Sequence, residues 1–287
     1  MDRTARPVRR ALAAAVAAIA LAASADGPLG ATGASPAPGP PVGALFDYQL
    51  QTGASGPGGI DLGLCARVGP GPCLHPRVWD IDLYGPDGTT PNSAAVRAIH
   101  RRGGYAVCYV DAGTWESWRP DAARFPRSLL GRSNGWPGER WLDVRALGPL
   151  LAIMASRVGA CARAGFDAVD FDNVDGYANR TGFAITPADQ LRYDRALAAL
   201  AHRDHLAAGL KNDRGQVAAL ASSFDFAVDE QCVAYHECAR LAPFVRAHRA
   251  VYDVEYRRSR STCAPVAGVR VVVQGIALRA TPWRPCP

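Results

Sequence analysis

Acidic residues recur at the ends of short apolar runs along this 287-residue chain. Asp80 and Asp82 close Trp79-Asp80-Ile81-Asp82-Leu83, and Asp111 and Glu116 follow the next run. Asp170, Asp172 and Asp175 close Val169-Asp170-Phe171-Asp172-Asn173-Val174-Asp175-Gly176-Tyr177, while Asp229/Glu230 and Asp253/Glu255 end two more. One such Asp reads equally well as a helix cap or a turn residue. Five runs ending this way are much harder to explain by capping. Carboxylates gathered away from water are costly, so their clustering points to catalysis, a metal or a cationic ligand. Aromatic side chains stand near the same run ends: Tyr48, Trp79, Tyr84, Trp115, Trp118, Tyr177 and Tyr256. Their rings can stack on sugar faces, and two acids flanking a scissile bond are what glycoside hydrolysis requires.

Lys211, in Gly209-Leu210-Lys211-Asn212-Asp213, is the one lysine among 32 basic residues. So strong a bias to arginine reflects base composition more than function. The net charge of +6 therefore implies neither a nucleic-acid nor a membrane partner. A guanidinium and an ammonium differ in shape and hydration, and a tight carboxylate-lined site is a physical reason to keep the ammonium. Chance is the plainer alternative.

The elements that must position these groups follow a repeating theme of strand, polar turn and helix. The strands are expected at Leu45–Gln51, Val78–Tyr84, Tyr105–Gly113, Ala168–Val174, Ala207–Asn212, Phe224–Glu230, Ala250–Tyr256 and Val269–Ile276, with Trp141–Val144 as a loop strand. Helical spacing is clearest over Leu147–Ala164 and Pro187–His202. Alternating strands and helices imply a parallel sheet with helical crossovers. Eight units fit a (β/α)8 TIM barrel in a single domain, and no Gly-rich phosphate loop follows any strand to favour a doubly wound sheet. In a barrel the acids would meet at the C-terminal mouth. Asp170 and Asp172 would share a face, as would Asp80 and Asp82, with Asp172 about 6.6 Å nearer the mouth than Asp170.

The N-terminus carries Arg3, Arg6, Arg9 and Arg10, an apolar run from Ala11 to Ala23, and Ala23-Ser24-Ala25. That is the pattern of a secretory signal peptide over residues 1–25, and the run is too short for a membrane span. Residues 26–41, rich in Gly, Pro, Ala and Ser, read as a linker, which leaves 42–287 for the barrel. All eight cysteines follow the signal. An even count in an exported chain favours disulfides, and no spacing is a zinc pattern. Cys65/Cys73, Cys232/Cys238 and Cys263/Cys286 are the simplest pairs, with Cys108 and Cys161 bonded to each other or free.

Taken together, the motifs resemble glycoside hydrolase family 114, the endo-α-1,4-polygalactosaminidases, from about Ala44 to Cys286. The resemblance rests on Trp79-Asp80-Ile81-Asp82, Cys108-Tyr109-Val110-Asp111-Ala112-Gly113-Thr114-Trp115-Glu116 and Glu139-Arg140-Trp141-Leu142-Asp143-Val144-Arg145. It extends through Gly165-Phe166-Asp167, the Asp170–Tyr177 run, Gly209-Leu210-Lys211-Asn212, Glu230-Gln231-Cys232 with Cys238, and Val254-Glu255-Tyr256. It implies a (β/α)8 barrel that cleaves α-1,4-linked galactosamine-containing polysaccharide; the signal-like segment makes the expected protein secreted, and no cofactor or metal is expected. By motif its catalytic acids fall on Asp172, as nucleophile or charge stabiliser, and Glu230, as proton donor. Asp80, Asp82, Asp111, Glu116, Asp170 and Glu255 are expected to hold substrate ammonium groups. Trp115, Asn173, Asp175, Tyr177, Lys211, Asn212 and Tyr256 complete the expected binding set. The family pattern commonly has Asn before the second acid, where this chain has Asp229. That carboxylate would either face Glu230 and raise its pKa or turn away from it. The expected protein is a monomer bound to polysaccharide with free amino sugars. A non-catalytic carbohydrate-binding barrel is the alternative. A metal-dependent deacetylase would need histidines at strand ends, and His75, His100, His202, His205, His236 and His248 mostly fall in helices or loops.

Overall fold

The computed structural model describes residues 37–67, 70–257, 262–263 and 266–286. The signal-like segment and most of the linker lie outside them. The strands are β1 (Phe46–Gln49), β2 (Val78–Asp82), β3 (Tyr105–Asp111), β4 (Thr114–Glu116), β5 (Leu130–Ser133), β6 (Glu139–Leu142), β7 (Ala168–Asp172), β8 (Ala207–Lys211), β9 (Phe226–Glu230), β10 (Val251–Glu255), β11 (Arg270–Gln274) and β12 (Trp283–Pro285). The helices are α1 (Ser93–Arg101), α2 (Leu147–Ala164), α3 (Pro187–Arg203), α4 (Val217–Leu220) and α5 (Ala242–Arg246).

One sheet runs β1-β2-β3-β7-β8-β9-β10-β11-β12, and its first eight members pair in parallel. This is a (β/α)8 TIM barrel. Its strands are apolar on both faces because both are covered. Phe46, Tyr48, Val78, Val107, Tyr109, Phe226, Tyr252 and Val272 fill the inside, while Ile81, Cys108, Val169, Phe171 and Leu210 pack outward under the helices. Gly209 falls on the inner face, where a Cβ would lie 2.4 Å from the Phe226 ring, so a side chain there would displace the filling.

Between β1 and β11 the barrel is closed by side chains rather than by a strand ladder. The Gln274 amide accepts from Tyr48 N–H at 3.0 Å and donates to the Asp47 carboxylate at 3.0 Å, and Trp283 donates its indole N–H to the Phe46 carbonyl. The helical ring is uneven. α2 ends on Gly165 in the left-handed conformation and α3 begins with a Thr186/Asp189 capping box. Between β10 and β11, by contrast, no helix occurs among the described residues.

The chain between β3 and β7 builds a separate antiparallel sheet, β4-β6-β5, beside the mouth. The expected loop strand at Trp141–Val144 is its middle member, displaced to Glu139–Leu142. All eight cysteines are paired: Cys65–Cys73, Cys108–Cys161, Cys232–Cys238 and Cys263–Cys286. No helix among the described residues is long and apolar enough to cross a membrane.

Candidate active site

Asp172 and Glu230 end β7 and β9, and β8 between them sends Lys211 upward on the same inner face. The Lys211 ammonium, 1% exposed, lies 3.1 Å from Asp172 Oδ1 and 2.8 Å from Glu230 Oε2. It also sits 5.5 Å from the centre of the Tyr48 ring. The Tyr109 hydroxyl donates to Asp172 Oδ2 at 2.7 Å, and the Tyr256 hydroxyl donates to Glu230 Oε1. Asn212, with φ +54°, receives the Glu230 backbone N–H at 3.0 Å and donates to Glu230 Oε2 at 3.4 Å. Burial pushes the Glu230 carboxyl up, but the Lys211 charge and the hydrogen bonds from Lys211, Tyr256 and Asn212 outweigh it and hold Glu230 below its usual range. Burial works against the Lys211 ammonium, and Asp172, Glu230 and Asp170 more than compensate, so it stays firmly charged.

Beneath Lys211, Asp80 and Asp170 are fully buried and face each other. Neither finds another hydrogen-bond partner among the described residues. Burial raises both pKa values, Asp170 to about 7 and Asp80 well above the usual range, so the pair shares a proton near neutrality. Two adjacent carboxyls in an apolar interior cannot both ionise cheaply.

The acids toward β3 have internal cations. Arg119 grips Asp82 through two 2.7 Å bonds and reaches Glu116 Oε2 at 2.6 Å. Arg157 binds Asp121 in the same two-pronged way and donates to the Asp111 carbonyl. Asp111 accepts from the Thr114 amide and hydroxyl and from Asn173. Oxygens of Asp111, Glu116 and Glu139 lie within 4.8 Å of one another, a spacing suited to a cation. The Arg119 and Arg157 guanidinium groups at 2.6 and 3.9 Å from Glu116 already supply positive charge there.

Of the expected site residues, Asp82, Glu116, Asp172, Asn173, Asn212, Glu230 and Tyr256 line one open cleft of about 690 Å³. Lys211, Asp80, Asp170 and Asp111 are buried beneath or beside it. The remaining four stand apart. Glu255 alternates off the inner face, and its carboxylate caps the Val233 and Ala234 amides. Trp115 packs against the core and donates to the Ala122 carbonyl. Asp175 bonds Asn179, and Tyr177 lies beside Asp213. Asp229 likewise turns outward, 2.9 Å from Arg214, so it faces away from Glu230, and Glu230 is not raised.

Sequence reasoning passed over Tyr109, Arg119, Glu139 and Trp136. Tyr109 was within reach, because it shares a strand face with Asp111. Arg119, Glu139 and Trp136 lie on the insert around β4 and β6, whose approach to the mouth is a tertiary fact.

Residues 28–277 match the profile of glycoside-hydrolase family GH114. The chain belongs to this family. Among solved structures it is similar to Aspergillus fumigatus Ega3 in complex with galactosamine, with 27% identity, 84% of this chain and 94% of that one covered, and a TM-score of 0.71. The glycoside hydrolase domain of PelA from Pseudomonas aeruginosa shares the fold, with 14% identity, 71% and 89% coverage and a TM-score of 0.54. No curated protein matches the chain.

Proposed function

We propose that this GH114 protein is a secreted, endo-acting hydrolase of α-1,4-linked galactosamine-containing polysaccharide. The observation that carries the reading is Lys211 held between Asp172 and Glu230 on the floor of an open cleft. Both oxygens lie within 3.1 Å of one nitrogen, so they are at most about 6 Å apart, which favours the short separation of retaining glycosidases over the longer one of inverting enzymes.

In this mechanism Asp172, oriented by Tyr109 and Lys211, attacks C1 as the C1–O bond breaks, and Glu230, which Lys211 and Tyr256 keep ionised except in acid, gives its proton to the leaving oxygen from its protonated form at acidic pH. Water then attacks C1 of the glycosyl-enzyme, Glu230 takes the water proton, and Asp172 is released. The cleft openness that endo cleavage needs is consistent with a groove lined from Gln51 to Arg279.

Four disulfides and the signal-like N-terminus support export. A cationic polymer is supported by the lining, where Asp82, Glu116, Glu139, Asp172 and Glu230 outnumber Arg119 and Arg279, with Lys211 buried behind Asp172 and Glu230. The galactosamine in the Ega3 complex adds to this. Asp82 and Glu116, expected to hold ammonium groups, are instead compensated by Arg119, and Glu255 is turned away onto the Val233 and Ala234 amides.

The test is incubation with partly deacetylated galactosaminogalactan and mass analysis of released oligomers. Asp172→Asn and Glu230→Gln are each expected to lower turnover by about 10²-fold or more while leaving the fold intact. Binding without turnover by the native protein would instead identify a carbohydrate-binding barrel. Fully N-acetylated polymer should be the poorer substrate, and equal turnover on it would remove the amine preference. Nuclear magnetic resonance of the first product should show the α anomer.

A further inference from the structure

Single exposed apolar side chains are ordinary, but large apolar surface gathered at the rim of a polar cleft marks a ligand-binding surface. Among the described residues, Trp118 and Trp136 are 52% and 53% exposed, and both line the cleft that holds Asp172 and Glu230. Neither belongs to a barrel strand. Trp118 follows β4 and Trp136 precedes β6, so both ride on the small antiparallel sheet inserted after β3.

The backbone holds them in place. Gly138 has φ +84°, and a Cβ there would lie 2.8 Å from the Trp118 ring, so glycine allows the indole to rest against the chain. Trp136 is carried on a turn in which Asn134 Oδ1 accepts the Trp136 amide at 3.0 Å, and the Trp136 carbonyl receives the Glu139 amide at 3.2 Å. Glu139, partly buried, sets a carboxylate in the same lining. An indole face with a carboxylate close by matches a sugar ring that is apolar on one face and carries hydroxyl or ammonium groups at its edge.

We propose that the β4-β6-β5 sheet is a sugar-binding platform, on which Trp118 and Trp136 stack residues of the polysaccharide that lie beyond the two sugars being cleaved. The inference rests on the hydrolase reading above. It explains why a barrel mouth already stocked with catalytic groups carries an added sheet with two exposed indoles. Each stacked ring contributes binding common to substrate and transition state, so it lowers KM more than it raises kcat.

The experiment compares native protein, Trp118→Ala, Trp136→Ala and the double variant on the polymer and on galactosamine oligomers of graded length. The double variant should lose about 10-fold or more of kcat/KM on polymer, through KM, while kcat on the shortest cleaved oligomer stays within about twofold of native. In an Asp172→Asn background, long oligomers should change the tryptophan fluorescence, and the change should disappear in the double variant. Equal length dependence in native and double-variant protein would overturn the platform while leaving the hydrolase reading intact. Loss of kcat on every length would also overturn it, marking the tryptophans as structural. A native protein that neither binds nor cleaves these oligomers would overturn both.

Discussion

Lys211 decides the electrostatics of the site. Its ammonium lies between Asp172 and Glu230, and its charge offsets the burial that would otherwise push the Glu230 carboxyl up. Tyr256 and Lys211 favour the ionised form of Glu230, so removing either raises its pKa. A proton donor acts from its protonated form, and a higher pKa preserves that form to higher pH. Tyr256→Phe should therefore move the upper limb of the kcat/KM–pH profile upward by about one pH unit, with an acidic optimum in the native protein. Lys211→Met should shift it further and lower kcat as well, since Asp172 loses its positioning contact. An unmoved limb in both variants would mean that Glu230 is not the donor.

At the scale of elements, the Cys108–Cys161 bond ties β3 to α2 across 53 residues of sequence, whereas Cys65–Cys73 spans 8. If cross-links act mainly by restricting the unfolded chain, the long loop is worth about 4 kcal/mol and the short one between about 2 and 3 kcal/mol. Paired Cys→Ala substitutions should therefore lower the denaturant midpoint more at Cys108/Cys161 than at Cys65/Cys73. The former also anchors the strand that carries Tyr109 and Asp111 to the mouth. Equal losses in a urea titration would argue against the loop-length account.

Across the whole molecule, acids buried in and around the barrel make stability depend on pH. Burial raises Asp170 to about 7, Asp213 and Asp253 to about 8, and Asp229 to about 6. Their unfolded-state values are near 4, so their contribution is fully present below about pH 4 and is lost as pH rises through roughly 6 to 8. Asp121 and Glu230 act the other way, because their folded values are depressed and their contribution fades on acidification. The raised group is larger, and Tm should fall between pH 5 and pH 8.5. Asp170→Asn should flatten that fall by removing one titrating member of the Asp80 pair. A Tm that rises over this interval would contradict the account.

All eight barrel strands and the two long helices were legible in the chain, because short apolar runs between polar turns mark strands buried on both faces and a 3.6-residue period marks a helix. Strand ends were equally legible as the place for Asp172, Glu230, Lys211 and Asp82. Side-chain direction at the rim was not. Glu255 lies one residue from Tyr256, yet alternation sends the Tyr256 hydroxyl to Glu230 and the Glu255 carboxylate to backbone amides outside the barrel. Arg119 and Trp136 reach the cleft only because the insert after β3 folds into its own sheet beside the mouth. Their sequence neighbourhood has no period that points anywhere. The sequence alone determined the barrel, the family and the acids at its mouth, since these depend on local pattern and chain order. The tertiary structure decided which acids are free, paired with arginine or sharing a proton, since a carboxyl's charge depends on neighbours far away along the chain.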